Sequence, residues 1–463
     1  MRKNRSFTEG PILSTLLRFA VPVLGAMILQ AMYGAVDLLV VGHFADAAAV
    51  SAVSTGSQLM HTLTTVIIGL AMGVTVLVGR SIGEGRPEKA GEIIGSSIWL
   101  FGALGAVMSL LVAFLARPLT ALMHAPEKAF EQTVRYVAIC GAGTLFITAY
   151  NVLGSVFRGV GDSKTPLIVV AIACVCNILG DLLFVAVIPM AAAGAALATV
   201  LAQGISVALC FLLLRKKQLP FPFSRRCLKP RSSHILQTMK VGAPIALQDL
   251  LVSLSFLVLM VIINSIGLTA SAGMGVAEKL CAFIMLVPSA FSSSLSAFVA
   301  QNIGANQPVR ARRAMLCGML ASLSVALIIS WLSFFHGEML ASIFSRDGEV
   351  NLAAADYLKG YAIDVLLTSF LFCFIGYFNG CGNTTFVMLQ GLIGAFGVRI
   401  PVSWAMSRIQ PPSLFRISLA TPASTLVQIL LFTAFLWWTV RKEKRGGTRG
   451  GTRGKRGSAP HPA

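Results

Sequence analysis

Apolar residues in this chain gather into long unbroken runs rather than the alternating spacing of a half-buried strand. About 20 consecutive, mostly apolar residues suffice to cross a bilayer as a helix. Twelve such runs occur, at 14–41, 50–79, 93–116, 133–157, 166–189, 193–214, 238–263, 272–299, 315–335, 357–378, 386–408 and 417–440. Backbone groups in hydrocarbon must bond within their own segment, so each run is predicted to be a helix. The two-residue alternation of a membrane β-barrel is absent. The run 386–408 is the weakest, because it contains Arg399. The first run follows Arg2, Lys3 and Arg5 and continues well past the length of a cleavable signal core, so it is read as the first span.

The pattern repeats. At an offset of 221 residues, Ile82-Gly83 with Pro87, Lys89 and Ala90 matches Ile303-Gly304 with Pro308, Arg310 and Ala311. Tyr136 matches Tyr357, and Phe157-Arg158-Gly159-Val160-Gly161-Asp162 matches Phe378-Asn379-Gly380-Cys381-Gly382-Asn383. Near the start the offset is 222, pairing Pro22 with Pro244. Each half holds six spans, an even number, so both enter the membrane in the same sense and the repeat is parallel. The expected fold is an all-α integral membrane protein of twelve transmembrane helices in two parallel six-helix repeats. Residues 1–214 form the first lobe, 215–237 a basic linker, 238–440 the second lobe and 441–463 a tail. Two bundles with a cleft between them can rock, which is the physical basis of alternating access.

Composition agrees with this reading: only 12% of the 463 residues are charged and the mean hydropathy is +0.80, against about 25% charged in soluble domains. The net charge is +19, which in a soluble chain would suggest nucleic acid. Here the charges sort by side. With the N-terminus placed in the cytoplasm, 28 of the 37 Lys and Arg fall on inside segments and seven on outside loops. Lys/Arg asymmetry sets orientation, so both termini are expected in the cytoplasm and no nucleic-acid partner is called for. The Gly/Arg-rich tail is read as disordered and lying near anionic lipid. The nine cysteines sit mostly in apolar runs without metal-ligand spacing and read as packing residues.

No Walker A pattern, catalytic triad, HExxH or Cys/His zinc pattern occurs. Without a nucleotide site, an ion gradient is the expected energy source. Ionisable groups at membrane depth are costly and mark function by default. Asp37, Asp181, Asp249, Glu278 and Asp364 qualify, along with the cation Arg399. Tyr33 lies four residues before Asp37 and Asn177 four before Asp181, each on the same helical face. Asn151 and Thr199 add polar groups to spans four and six of the same lobe. Two carboxyl groups in a dry polar pocket resist double ionisation and can hold a proton. The repeat supplies a control: Leu259, Val398 and Val402 stand where the first half has Asp37, Asn177 and Asp181. Packing alone does not need acids in one half and aliphatics in the other. The glycines of RGVGDSKTP (158–166) lack phosphate-loop spacing and read as a tight turn between helices.

These motifs resemble a known family. FRGVGDSKTP, AVDLLVVGHF, NILGDLLFV, AAGAALATVLAQ and FVAQNIGANQPVRARRA are similar to signatures of the MATE (multidrug and toxic compound extrusion) transporters, and the likeness runs from about residue 9 to about 410. The resemblance implies a twelve-helix, two-lobe antiporter expelling cationic or amphipathic compounds. The branch resembled is that of the bacterial DNA-damage-inducible protein F. Its first-lobe cation-coupling cluster falls on Tyr33, Asp37, Asn151, Asn177, Asp181 and Thr199, all of the family's residue type. Sodium-coupled members of another branch carry acids in helices seven and ten, where this chain has Ser253 and Thr368. H⁺ is therefore the expected coupling ion, with Na⁺ the alternative, and no further cofactor or metal is expected. Asp249, Glu278, Asp364 and Arg399 are kept as secondary candidates. The expected setting is the bacterial inner membrane, with lipid and a small-molecule substrate as partners and the protein a monomer. A lipid-precursor or metabolite flippase of the same superfamily is the competing reading, and an integral-membrane enzyme a more distant one.

Overall fold

The computed structural model describes residues 7–216 and 225–450. Residues 217–224 of the expected linker and 451–463 of the expected tail lie outside that description. Among the described residues, eleven helices are long and apolar enough to cross a membrane, and a bent pair counted as one span makes the twelve that the hydropathy runs predict. In the first lobe these are α1 (Ile12–Phe44), α2 (Ala47–Gly83), α3 (Pro87–Phe114), α4 (Glu127–Ala142 continued by Thr144–Gly159), α5 (Lys164–Val187) and α6 (Ala191–Leu214). In the second they are α7 (Ser232–Asn264), α8 (Leu268–Gly304), α9 (Pro308–Phe335), α10 (Gly348–Cys381), α11 (Thr384–Ser407) and α12 (Leu414–Glu443).

Most helices outrun their apolar cores. The run at 357–378 becomes a helix from Gly348 to Cys381, whose first turn is capped by Asp347 accepting from the Glu349 and Val350 amides. Hydropathy locates the hydrocarbon crossing, whereas caps and turns set the helix ends. Similarly, Asp46 accepts from the Ala49 amide at 2.8 Å and starts α2. The span α4 is bent by 49° at Gly143, where an added Cβ would run into the Val200 side chain of α6.

The two repeats share backbone detail. Gly161 and Gly382 both take φ of +85°, a left-handed turn open to glycine. The Asp162 amide bonds the Phe157 carbonyl as the Asn383 amide bonds that of Phe378. Thr75 donates to the Ser155 carbonyl at 2.9 Å, and its repeat partner Ser296 donates to the Gly376 carbonyl at 3.2 Å. The loop glycines thus form the turn that their spacing predicts.

Close backbone approach joins the lobes. Gly83 at the end of α2 lies against the Gln301 carbonyl, and Gly304 at the end of α8 lies against the Arg80 carbonyl. Each contact maps onto the other when a residue is exchanged with its repeat partner, which is the signature of a two-fold relation between lobes. Gly69 and Gly73 of α2 similarly admit Ala246 and Gly242 of α7. The N-terminal stretch is tied across: Asn302 and Arg310 donate to the Phe7 carbonyl, and Arg310 also reaches the carbonyls of Glu9 and Gly10. The Gly83, Gly304 and Phe7 contacts lie at the end of the bundle that holds the N-terminal segment. The opposite half of α8, Leu268–Ile284, packs on α7 and α10 of its own lobe.

Candidate functional site

The sequence-predicted residues fall into two places. The first is a buried pocket inside the first lobe, between α1, α5 and α6. Asp37 is 4% and Asp181 0% exposed. Thr199 Oγ1 donates to Asp37 Oδ2 at 3.1 Å, and Asn177 Nδ2 lies 3.5 Å from Thr199 Oγ1. Asp181 and Asn177 stand within hydrogen-bonding reach of Asp37. Asp181 is the last α-helical residue before a π-helical segment, Leu182–Val187, a widened turn of the kind often found at functional positions.

The pocket lacks donors for its acceptors. Among the described residues, Asp37 Oδ1, both carboxyl oxygens of Asp181 and Asn177 Oδ1 are buried without a protein partner. Among the described residues, no basic side chain acts on either acid. Two buried carboxylates cannot share such a space as bare anions, because isolated charge in low dielectric is prohibitively costly. A proton between the carboxyl groups, or a small cation among their oxygens, would satisfy the pocket.

Tyr33 lies near Asp37 and Asn151 lines the cavity between the lobes, and both bond elsewhere. The Tyr33 hydroxyl donates to the Val170 carbonyl of α5 at 3.2 Å, and the Asn151 amide donates to the Ile147 carbonyl of its own helix at 2.8 Å. The repeat partners of the acids confirm the asymmetry of the lobes, since Leu259 is fully buried in an apolar cluster with Ile263, Met274 and Tyr357.

The second place is a cavity of about 420 Å³ between the lobes. Asn151, Asp249, Asp364 and Arg399 line it, together with Met27 and Met72 from the first lobe and Phe256 and Phe372 from the second. Asp364 Oδ1 accepts from Thr425 Oγ1 at 2.6 Å, and Arg399 Nη1 donates to Ser255 Oγ at 2.9 Å. Glu278 sits on an exposed stretch of α8 and is not part of the cavity wall. Arg158, read from sequence only as part of a turn, also lines the cavity, where its Nη2 donates to Ser155 Oγ at 2.8 Å. The buried amides of Gln248 and Gln428 were likewise missed. Among these, only Arg158 left a trace in the sequence, through its replacement by Asn379 in the second repeat.

The comparisons with known proteins fit this geometry. The MatE family profile matches residues 22–183 and 244–405, one match in each lobe. A probable multidrug resistance protein, YoeA of Bacillus subtilis, is 25% identical over 435 residues, covering 92% of this chain and 94% of that protein. A protein of Shewanella oneidensis described as an FAD transporter is 27% identical over 360 residues, covering 76% and 78%. A solved structure described as the outward-facing conformation of a multidrug resistance MATE family transporter superposes with a TM-score of 0.88 at 18% identity, over 95% of this chain and 98% of that one. With both repeats matched and the two-lobe fold shared, the chain belongs to the MATE family and is a membrane transporter rather than an enzyme.

Proposed function

We propose that this protein is a secondary multidrug exporter that exchanges H⁺ for cationic or amphipathic compounds, working by alternating access of its two lobes. The observation that carries the reading is the pair Asp37 and Asp181, buried together with three of their four carboxyl oxygens lacking a protein donor among the described residues. Such a pair must take up a proton or cation when dehydrated and can release it when opened to water. Carboxyl–carboxyl hydrogen bonding needs only one proton, which favours H⁺ over Na⁺. Multidrug resistance relatives support drug-like substrates, and the Lys/Arg asymmetry supports a bacterial inner-membrane protein with both termini in the cytoplasm. A second reading, export of a metabolite, is favoured by the relative described as an FAD transporter.

The test is ethidium efflux from cells expressing the wild type or Asp37→Asn, with and without a protonophore, and with Na⁺ replaced by K⁺. Asn keeps the shape but cannot bind and release a proton. Expected is efflux that stops with the protonophore, ignores Na⁺ replacement and is lost in Asp37→Asn at equal expression. Efflux that survives the protonophore but needs Na⁺ would make the coupling ion sodium. Efflux indifferent to the substitution would remove the pair from the mechanism.

A further inference from the structure

The chain enters each lobe through a short lead-in segment, and each lead-in is fastened to the opposite lobe. Ahead of α7, residues 227–231 lie on α3 of the first lobe. The Trp99 indole donates to the Leu228 carbonyl at 2.7 Å, the Arg231 amide donates to Ser96 Oγ at 3.2 Å, and the Arg231 guanidinium pairs with Glu92. Gly95 lies so close to the Cys227 carbonyl that a Cβ there would clash. Ahead of α1, residues 7–10 lie on α8 and α9 of the second lobe. The offset of 222 that pairs Pro22 with Pro244 also pairs Phe7 with Lys229, so the two lead-ins are repeat partners.

The first lead-in is a wedge. Phe7 is 4% exposed. Its ring meets that of Phe19 in α1 edge-on at 5.0 Å and that of Phe298 in α8 at 5.2 Å. The Gly161 turn between α4 and α5 forms the facing wall, where a Cβ would stand 3.4 Å from Phe7 Cζ. One ring thus fills a space bounded by both lobes. The Phe7 carbonyl accepts from Asn302 Nδ2 at 3.2 Å and Arg310 Nε at 3.0 Å, while Arg310 Nη1 and Nη2 reach the Gly10 and Glu9 carbonyls at 2.9 Å. All three guanidinium nitrogens are therefore given to main-chain carbonyls of four residues. Among the described residues Arg310 has no acidic partner, whereas its repeat partner Lys89 pairs with Glu84. The Glu9 and Gly10 bonds lie at an exposed edge, where water can replace neutral carbonyls at small net cost. The α7 lead-in, held by an ion pair and close backbone packing, is the firmer of the two.

We propose that residues 7–10 form a releasable strap, which holds the shut end of the bundle closed while seated and must leave its seat before that end opens. The proposal rests on the alternating-access reading and adds a control element to it. Gln301 Nε2 of α8 donates to the Gly159 carbonyl at 2.9 Å beside the strap. Opening this end parts the Gly161 turn from α8, and Phe7 cannot stay against both walls once they separate.

The test reads opening by thiol labelling of purified full-length protein in nanodiscs. Ala300→Cys, in a background free of the nine native cysteines, is the reporter, because Ala300 is 0% exposed and faces Gly79 across the shut end. Phe7→Ala and Arg310→Gln are each expected to speed maleimide labelling about tenfold or more, the scale of one hydrogen bond to a charged group. Their combination is expected to label no faster than the faster single variant, because either change alone frees the same strap. A protein keeping only Cys140, which packs with Val41 and Ala49 in the first lobe, is expected to label at one rate throughout. Unchanged labelling at Ala300→Cys, equal acceleration at Cys140, or single effects that multiply in the double variant overturns the proposal. Should Arg310→Gln not fold, Phe7→Ala decides against Phe7→Leu, which keeps an apolar wedge and is expected to give a smaller rise; equal rises overturn the wedge. Labelling needs neither substrate nor gradient, so the two readings fail separately. Unchanged labelling beside intact ethidium transport removes the strap alone, whereas a wild type that moves no ethidium removes the exporter reading and leaves the labelling result standing.

Discussion

Asp37 receives one hydroxyl hydrogen bond, from Thr199, and otherwise looks to Asp181 and Asn177. Replacing Thr199 by Val keeps the volume and removes that donor, leaving Asp37 with less support for its charged form. A hydrogen bond to a charged group is worth about 1.5–3 kcal/mol, so Thr199→Val should change the apparent affinity for the coupling ion about tenfold or more. Transport by proteoliposomes across a series of imposed ion gradients reads this directly, and an unchanged dependence would place Thr199 outside the site. Asp181→Asn should go further and abolish driven transport at equal expression, because the amide can neither take up nor release a proton. The sequence already brought Asp37, Asn177, Asp181 and Thr199 together, since polar groups on apolar helices have few reasons to exist. Their partners were less legible. Four-residue spacing tells which face Tyr33 shares with Asp37, but rotamer and tilt decide that its hydroxyl reaches Val170. Arg158 was hidden by its place in a glycine motif, where the turn accounted for the pattern without its side chain.

Helices reveal different things at their ends and at their contacts. Among the described residues, twelve apolar runs yielded eleven membrane-length helices and one bent pair, because desolvating an open backbone in lipid leaves no other choice. The 49° bend of α4 and the π-helical segments beside Asp181 and at Arg399 were not legible. They depend on neighbours, such as Val200 against Gly143, that only the folded bundle supplies. Glycine positions carried more than turn information. Gly83 and Gly304 sit where a Cβ would meet the backbone carbonyls of Gln301 and Arg80, and backbone cannot step aside as a side chain can. Gly83→Ala or Gly304→Ala should therefore push the ends of α2 and α8 apart. Overpacking of this kind costs about 1–3 kcal/mol, paid by the closed end alone. Expected are a lower melting temperature and faster thiol labelling at Ser81→Cys, a position 2% exposed in the closed arrangement, in a background lacking the nine native cysteines. Unchanged labelling in the Gly variants would mean that the ends do not meet as described.

Two lobes built on one repeat meet around a two-fold axis, yet they are chemically unequal. The first carries the buried acid pair, whereas the second carries Leu259, Val398 and Val402 at the matching positions and contributes Asp249, Asp364 and Arg399 to the shared cavity. The 221-residue offset made the parallel repeat readable in the sequence; which end is shut could not be read, because both arrangements use the same residues. In the structure the shut end is the one holding the N-terminal segment, where Gly79 and its repeat partner Ala300 face each other. A Cβ on Gly79 would lie 3.3 Å from the Cβ of Ala300, slightly inside the roughly 3.5–4.5 Å that a disulfide requires, so a shift of tenths of an ångström brings a cysteine pair into range. Alternating access demands that these residues separate in every cycle, while a transporter that passed substrate along a fixed path would leave them together. Gly79→Cys with Ala300→Cys, in the background free of native cysteines, should form a disulfide under mild oxidation, stop ethidium transport in proteoliposomes and regain it on reduction. Neither single variant should respond to oxidation. Transport that continues through the cross-linked protein would exclude rocking about this axis, and absence of the cross-link would show that the lobes do not rest in this closed contact.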